Sequence, residues 1–291
     1  MSSTALGHII ALFTVIVWGT TFISTKILLF DYSPLEILFC RFALGFLVLC
    51  LAKPRRLKTK GWVEDKYLIA AGLCGITLYF LLENIALQYT YASNVCLILA
   101  LVPFLTALIS KFVLGEDTLT KTFFTGFVCA MAGMLLIIYN GSVILKLNPL
   151  GDVLAFLAGV VWAIYSVLLR KISTFHYDTI LCTRNIFGYG LILMIPAFFF
   201  FDTTFDFSLL NDDVNLYNLL FLGIIASALC FGTWSLAVNI LGPVKTSMYI
   251  YISPVVTLLT SALILDEKIT LVAIAGTLFI LTGLIISGRR N

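Results

Sequence analysis

The stretch from residue 5 to residue 29 reads ALGHIIALFTVIVWGTTFISTKILL, and Lys26 is its one formally charged side chain. A helix needs about 20 consecutive apolar residues to cross the hydrocarbon core of a bilayer, so this run is long enough to span a membrane. It is too long for the apolar core of a signal peptide, and no basic segment precedes it. We therefore expect a retained first transmembrane helix.

The same apolar pattern recurs along the whole chain. Of its 291 residues, 61% are apolar and 11% are charged, and the mean hydropathy is +1.08. Soluble domains carry about 25% charged residues, so the composition excludes a water-soluble globular protein. We predict an all-α polytopic membrane protein with ten transmembrane helices. These spans lie near residues 5–29, 34–52, 67–89, 92–114, 121–141, 149–171, 177–201, 216–240, 244–265 and 269–287.

The lysine and arginine residues of the loops predict how the helices are oriented. Short cytoplasmic loops of membrane proteins carry an excess of these residues. With the N-terminus inside, the inner loops and tail hold thirteen Lys or Arg residues, whereas the outer ends hold three. The acidic loop 202–213, which holds four Asp and no Lys or Arg, then falls outside. We expect a multi-pass protein of the plasma (inner) membrane with cytoplasmic N- and C-termini.

The two halves of the chain resemble each other at a nearly constant spacing. Trp18 and Trp162 are 144 residues apart, and Arg41 and Arg184 are 143 apart. Self-similarity at a fixed spacing is typical of an internal structural repeat. Further matches at spacings of 150 or 151 pair Ala86 with Ala237, Pro103 with Pro254, Glu116 with Glu267, Gly126 with Gly276, and Gly133 with Gly283.

Each half contains an odd number of predicted spans, so the second half must enter the membrane from the opposite side. We divide the chain into a first five-helix repeat, residues 1–142, and a second, inverted one, residues 143–291. Inverted repeats are typical of secondary transporters, which bind their substrate near the midplane between the halves. The pattern therefore predicts a transporter with a central cavity.

Several of the repeated segments resemble one transporter superfamily. The first span contains Trp18-Gly-Thr-Thr-Phe22, and the second repeat opens in the same way with Trp162-Ala163 followed by Arg170. Together with Asp266-Glu267-Lys268 near the end, these residues resemble the EamA-type transporters of the drug/metabolite transporter superfamily. The resemblance covers essentially the whole chain and implies ten helices around a cavity. It does not fix the substrate, because members handle amino acids, amines, quaternary ammonium compounds, nucleotide sugars and drugs.

Three charged residues lie well inside predicted spans. Arg41 and Arg184 each lie roughly 10 Å from the nearer interface, where an arginine could reach the surface, bind loop carbonyls or form a gate on each side. Glu83 is the only acid deep in a span, at a depth that matches Arg41. We expect Glu83 either to form a structural pair with Arg41, or to bind a proton or a substrate cation.

Pro103 and Pro254 lie near the middle of the fourth and ninth spans. A proline inside a helix removes one backbone hydrogen bond and frees the carbonyl four residues earlier, here that of Leu99 or Ile250. A freed carbonyl inside a bilayer needs a partner, which could be a neighbouring helix or a substrate ammonium. We expect the two prolines either to act as hinges or to shape the bundle.

Other polar and aromatic side chains on the spans are candidates for lining the cavity. An aromatic and amide lining suits a zwitterion or an organic cation, although aromatic residues at span ends are also typical of interfacial belts. The candidates for substrate binding or gating are Trp18, Thr21, Arg41, Glu83, Asn84, Gln88, Asn94, Trp162, Tyr165, Arg184, Trp234, Asn239 and Tyr249, with Pro103 and Pro254 as hinge candidates.

Residues near the predicted helix ends suggest structural roles. The helix macrodipole favours cations at a C-terminus, so we expect Lys26 and Arg170 either to cap the first helix of each half or to contact an anion. Glu116 and Glu267 each precede the last helix of a half, where we expect them to act as helix-start residues. Small residues let transmembrane helices approach closely, which is the role expected of Gly126, Gly133, Gly276 and Gly283.

The chain lacks the motifs of ATPases and of common hydrolases. It contains no GxxxxGK[ST], HExxH or GxSxG pattern, its only histidines are His8 and His176, and no two of its seven cysteines form a CxxC. We therefore expect no enzymatic activity, no cofactor and no metal. The expected partners are a small-molecule substrate and the lipid bilayer, not nucleic acid.

We thus predict a secondary transporter that works by alternating access on amino acids or related zwitterions and organic cations, in the export direction. Proton coupling through Glu83 stays an open alternative, and the oligomeric state is not fixed by the sequence. A lipid flippase or an accessory membrane subunit is the competing hypothesis. A membrane-embedded transferase is less favoured, because it would need several carboxylates or histidines at one site.

Overall fold

A computed structural model describes residues 3–90, 92–139, 148–201, 203, 212–264 and 270–288. Within these ranges the chain is helical and has no β-strand, which confirms the all-α prediction. The helices are α1 (Ser3–Leu28), α2 (Pro34–Ala52), α3 (Trp62–Tyr89), α4 (Ala92–Leu99), α5 (Val102–Leu114), α6 (Lys121–Tyr139), α7 (Pro149–Ser173), α8 (Thr179–Met194), α9 (Asp213–Leu241), α10 (Pro243–Ser247), α11 (Ser253–Ile264) and α12 (Leu271–Gly288).

The helix starts follow directly from the local sequence. Ser33 caps α2 through a reciprocal pair of hydrogen bonds with Glu36, and Pro34 occupies the first turn, where its missing N–H costs nothing. Asp178 and Asp212 cap α8 and α9 by accepting hydrogen bonds from first-turn N–H groups. Gly242 ends α9 with φ of 85°, a backbone conformation that other residues rarely adopt.

All ten predicted spans overlap these helical segments. Within the described residues, eight helical segments are long and apolar enough to cross a membrane, which makes the protein a multi-pass membrane protein. Two of them, Leu97–Leu114 and Thr179–Phe199, join α5 to the end of α4 and α8 to a following 3-10 turn. The predicted span 121–141 corresponds to a shorter apolar helix, and the span 244–265 is divided among α10, a 3-10 turn and α11. The count of ten crossings stays a prediction.

The contacts between the two halves occur in matching pairs. Helix α1 packs on α9 and α11 of the second half, and its sequence counterpart α7 packs on α3 and α5 of the first. In the same way α2 packs on α9, and α8 packs on α3. Reciprocal packing is what two related halves of one chain would produce. The opposite orientation of the second half stays a prediction.

Helices α6 and α12 form the most intimate contact between the halves, at the glycines that the sequence assigned to close packing. A Cβ atom added at Gly133 would lie 2.5 Å from the carbonyl oxygen of Gly276, and one added at Gly283 would lie 2.6 Å from that of Gly126. Real side chains do not approach this closely, so only glycine allows the two backbones to touch. The prediction for these four glycines is confirmed.

The fourth span is interrupted just before its proline. Helix α4 ends at Leu99, and Pro103 lies in the first turn of α5. Pro254 likewise lies at the start of α11, after a 3-10 segment, Met248–Ile252. Both prolines therefore lie in the first turn of an α-helix, a position that suits their fixed φ angle, and their role as hinges stays a prediction. The expected free carbonyl of Ile250 is wrong, because it accepts a hydrogen bond from the N–H of Ser253.

Candidate functional site

Three tryptophans meet where the two halves of the chain pack together. Trp18 of α1 lies 5.5 Å from Trp162 of α7 and 5.1 Å from Trp234 of α9, measured between ring centroids. The indoles of Trp162 and Trp234 are buried, with 5% and 0% of their surface exposed. The repeat pattern paired two of these tryptophans, and the structure brings them into contact.

Further rings extend this group into one aromatic cluster. Tyr79 lies 4.7 Å from Trp162, Tyr165 lies 5.2 Å from the same indole, and Phe231 lies 5.4 Å from Trp18. Edge-on and tilted arrangements at these distances are favourable for aromatic pairs. We use "aromatic cluster" for Trp18, Tyr79, Trp162, Tyr165, Phe231 and Trp234.

An irregular helix segment lies against the cluster. Residues Phe221–Leu229 of α9 form a π-helical segment. At its end the N–H of Cys230 donates to the carbonyls of Ile225 and Ser227, but not to that of Ala226. The indole Nε1 of Trp18 donates to the carbonyl oxygen of Ala226 at 2.9 Å. A side chain from the first half thus partners a carbonyl that the π-segment leaves to it.

Helix α3 carries a second π-helical segment at the corresponding place, Leu73–Leu78. It ends at Leu78, directly before Tyr79, and Tyr79 lies four residues before Glu83. Its Thr77 hydroxyl donates to the carbonyl of Gly190 on α8 at 2.8 Å. In each half, therefore, the third span contains a π-helical segment that is hydrogen bonded to the opposite half.

Arg41 lies beside the aromatic cluster and is 8% exposed. Its Nε donates to the hydroxyl of Ser227 at 3.0 Å. The guanidinium carbon lies 5.2 Å from the ring centroid of Phe42 and 5.3 Å from that of Phe80, within cation–π range. Arg41 is therefore held inside the protein by one hydrogen bond and two aromatic faces, and does not extend to the membrane surface.

Glu83 lies near Arg41 but does not pair with it. Its Oε1 accepts a hydrogen bond from the phenol of Tyr79 at 3.3 Å. It is close enough to Arg41 for mutual attraction, yet no Arg41 nitrogen lies within the 4.0 Å of an ion pair. In the described ranges the ion pairs are Lys53–Asp178, Lys111–Asp117 and Arg170–Glu116. The structural Arg41–Glu83 pair offered by the sequence is not formed.

Glu83 also keeps part of its surface accessible although it lies deep within the protein. Two indole N–H groups of the cluster, those of Trp162 and Trp234, are buried and have no acceptor among the described residues. Charged and polar groups with spare bonding capacity therefore gather at one place between the halves.

Two amides of the candidate set line a cleft next to this place. Asn84 and Gln88 lie on the last turns of α3, after Glu83. The cleft has a volume of about 160 Å³ and is lined by Ser33, Pro34, Leu35, Leu81, Asn84, Ile85, Gln88 and Phe201. The side chain of the neighbouring candidate Asn94 lies outside the part of the chain that the structure describes.

Arg184 is placed far from its repeat counterpart, among the loops on the predicted cytoplasmic side. It is also 8% exposed, and its Nη1 donates to the backbone carbonyl of Lys53 at 2.9 Å. The Lys53 ammonium pairs with the Asp178 carboxylate of the other half. Close by, the phenol of Tyr177 donates to Glu64 at 2.6 Å. We call the contacts of Lys53, Asp178 and Arg184 the inner latch, because they join the two halves at that end.

Three further candidates are engaged in other hydrogen bonds. The phenol of Tyr249 is hydrogen bonded to His8 at 2.7 Å. Asn239 has an exposed side chain, and its backbone carbonyl accepts a hydrogen bond from Arg170 at 2.8 Å. Thr21 donates to the carbonyl of Trp18, one turn earlier in its own helix, at 2.7 Å.

The expected role of Glu116 needs correction. Arg170 lies in the last turn of α7, where a cation was expected, and its side chain also donates to the carbonyl of Asn239 near the C-terminus of α9. Glu116 lies five residues before the first residue of α6 and is 3.9 Å from the Arg170 side chain, so it pairs with the other half and does not start a helix. The side chain of Lys26 and the whole of Glu267 lie outside the described part of the chain, so their expected roles stay predictions.

Four contributors to the site were missed by the sequence reasoning: Tyr79, Phe80, Ser227 and Phe231. Tyr79 lies four residues before Glu83 on the same helix, a spacing that places both side chains on one face. That spacing was the available signal for Tyr79. Ser227 and Phe231 carry no comparable signal, because only the packing of α9 against the first half brings them to the site.

The fold and the site together define a multi-pass membrane transporter, with two halves that meet at a buried charged and aromatic centre. The model of the EamA-like transporter family matches the chain twice, over residues 5–139 and 149–289, and the chain belongs to this family. A crystal structure whose chain is 20% identical superposes with a TM-score of 0.79, covering 99% of this chain and 98% of that one, and shows the same fold.

Relatives cover nearly the whole chain. It is 27% identical over 288 residues to an "Uncharacterized transporter" of Archaeoglobus fulgidus, which is 98% of each protein. It is 26% identical over 292 residues to an Escherichia coli K12 protein named "Probable amino-acid metabolite efflux pump", covering 96% of this chain and 93% of that protein. It is also 29% identical over 274 residues to "Protein PecM" of Dickeya dadantii, covering 93% and 88%.

Proposed function

We propose that this protein is a secondary transporter that exports amino acids or related zwitterions and organic cations across the plasma membrane by alternating access. Both termini would lie in the cytoplasm, as the loop charges predict. The relative in Escherichia coli with an amino-acid efflux name supports the substrate class and the direction.

The single observation that carries the proposal is the pair Arg41 and Glu83. An unpaired charge is expensive inside a membrane and is retained where it serves a substrate or ion pathway. Here one positive and one negative group lie near each other, between the halves, without forming an ion pair. A solute with charges of its own would provide the partner that each group lacks.

The arrangement of the halves supports movement between two access states. The inner latch joins them at the predicted cytoplasmic end. At the other end Asp31 accepts a hydrogen bond from Asn215 at 2.8 Å, and Asp152 accepts one from Thr90, also at 2.8 Å. Polar contacts join the halves at both ends, and breaking those at one end while keeping those at the other would open the site to one side only.

The test uses the purified full-length protein in liposomes. We would measure uptake of radiolabelled leucine, phenylalanine, glutamate, lysine and choline, in counterflow against an unlabelled internal pool, with protein-free liposomes as the control. Uptake of at least one amino acid or organic cation is expected, together with a higher melting temperature in its presence. If none of these solutes moves in a folded sample, the proposal is wrong. Efflux from preloaded cells that express the protein would establish the direction.

Proton coupling is tested on the same liposomes. If Glu83 carries the proton, an imposed pH gradient drives accumulation in the native protein, and Glu83→Gln abolishes accumulation while exchange continues. Glu64→Gln is the matched control, because Glu64 is bonded to Tyr177 at the inner end and lies away from the site. If the pH gradient has no effect on native uptake, the protein is a facilitator or uses another ion.

A further inference from the structure

The hydrogen bonds that Arg41 and Glu83 leave unmade indicate a more specific ligand than any charged solute. A guanidinium has five N–H donors, and the described residues engage only the Nε of Arg41, through Ser227. The Glu83 carboxylate can accept about four hydrogen bonds and receives one, from Tyr79. The two terminal nitrogens of Arg41 and most of the capacity of Glu83 are therefore left for a ligand.

The separation of the two groups also selects the ligand. They are close enough to attract each other but too far apart to touch. An α-amino acid carries its carboxylate and its ammonium on the same carbon atom. It can therefore bridge two opposite protein charges that are near each other and not in contact.

The aromatic surroundings indicate what lies beyond the headgroup. Phe42 and Phe80 flank the guanidinium of Arg41, and Tyr79 joins Glu83 to Trp162 of the aromatic cluster. A ligand held by Arg41 and Glu83 would present its side chain to aromatic faces and not to charged groups. Such a surface favours an apolar or aromatic side chain.

We propose that this site is a clamp for zwitterionic α-amino acids with apolar or aromatic side chains. The terminal nitrogens of Arg41 bind the carboxylate, the carboxylate of Glu83 binds the ammonium, and the side chain packs on the aromatic cluster. The inference rests on the proposed function and deepens it, because it requires both headgroup charges on one substrate and gives each a named partner.

The test compares phenylalanine with analogues that lack one charge. Phenethylamine lacks the carboxylate, and 3-phenylpropionate lacks the ammonium. Each is used to inhibit uptake of radiolabelled phenylalanine by the full-length protein in liposomes. Because hydrogen bonds to charged groups contribute strongly, each analogue should inhibit about 10- to 100-fold more weakly than phenylalanine. Aspartate and lysine should also inhibit more weakly, because their side chains carry charge to the aromatic surface.

Two variants assign the charges to their partners. In Glu83→Gln the difference between phenylalanine and 3-phenylpropionate should collapse, while the difference from phenethylamine is retained. In Arg41→Gln the pattern should reverse. Arg184→Gln is the matched control: Arg184 is as buried as Arg41, each being 8% exposed, and is its repeat counterpart, but binds the Lys53 carbonyl at the inner latch. The transport rate of Arg184→Gln can change, but its discrimination among the analogues should not.

The outcomes separate this proposal from the broader one. If amino acids are transported but either one-charge analogue inhibits as well as phenylalanine, the clamp is wrong and the transporter stands. If both variants lose the two discriminations together, the charges are not read separately and the clamp is again wrong. If no solute moves, the proposed function itself fails. Should Arg41→Gln or Glu83→Gln not fold, the analogue series on the native protein still decides the question.

Discussion

Arg41 of α2 donates a hydrogen bond to the hydroxyl of Ser227, which lies in the π-helical segment of α9 in the opposite half of the chain. This bond orients the guanidinium between Phe42 and Phe80 and leaves its terminal nitrogens unused. The position of the proposed carboxylate partner therefore depends on a residue that does not touch the substrate. Ser227 would act as a positioning residue.

Replacing Ser227 with alanine tests this dependence. Because a hydrogen bond to a charged group contributes about 1.5–3 kcal/mol, Ser227→Ala should raise the KM for a transported amino acid by roughly 10-fold or more, with little change in kcat. Uptake kinetics in liposomes provide the measurement. Ser173→Ala is the control, because its hydroxyl donates only to the carbonyl of Arg170 in its own helix. Equal effects in the two variants would argue against a positioning role.

The three tryptophans should differ in how much their indole N–H contributes to stability. Trp18→Phe keeps an aromatic ring but leaves the carbonyl of Ala226 without its donor, which should lower the free energy of unfolding by about 1–3 kcal/mol. Trp162→Phe loses a similar volume, and its N–H has no acceptor among the described residues. Melting curves in detergent should therefore show the larger decrease for Trp18→Phe. A larger decrease for Trp162→Phe would contradict this assignment.

A glycine-to-alanine substitution should have opposite effects at two helical positions. At Gly133 a Cβ would lie 2.5 Å from the carbonyl of Gly276, so Gly133→Ala must push α6 away from α12 and destabilise the protein. At Gly232 nothing lies within 4 Å of the added atom, and alanine should stabilise the helix by about 0.5–1 kcal/mol. Thermal unfolding of both variants measures the two shifts. Similar melting temperatures for both would show that the helix contact tolerates the methyl group.

For Arg41 and Glu83, the sequence predicts the depth in the membrane but not whether the two side chains pair. Depth along a helix follows from residue counting, and counting placed the two at the same level, where the structure brings them near each other. Whether they pair depends on the rotation of α2 and α3 about their axes. These helices are apolar on all sides, so the pattern of apolar residues does not show which face turns inward.

The same limit explains the candidates that lie elsewhere. Tyr249 and Asn239 were chosen because of their residue type, but one binds His8 and the other is exposed. The tryptophans were located better, because the repeat required Trp18 and Trp162 to occupy related places. The π-helical segments could not be predicted. A change from i+4 to i+5 hydrogen bonding leaves a carbonyl free, and which side chain of a neighbouring helix donates to it depends on the packing.

The inner latch gives the last prediction. Asp178→Asn removes the charge that pairs with Lys53 but keeps an oxygen that can cap α8. Partly exposed ion pairs contribute up to about 1 kcal/mol, so losing this one should shift the equilibrium toward the state that is open at this end by up to about fivefold. Cys182 lies one turn beyond Asp178 and is 6% exposed, so its thiol reports the opening. With the other cysteines replaced, its labelling rate by a maleimide should rise several-fold in Asp178→Asn.

Asp117→Asn is the matched control, because it removes the ion pair with Lys111, which lies within the first half. It should leave the labelling of Cys182 unchanged, since breaking a contact inside one half does not free the two halves to separate. If Asp178→Asn labels Cys182 at the native rate, the Lys53–Asp178 pair does not hold this end closed. The hydrogen bond from Arg184 to the Lys53 carbonyl would then be the contact that does so, and Arg184→Gln should raise the labelling rate instead.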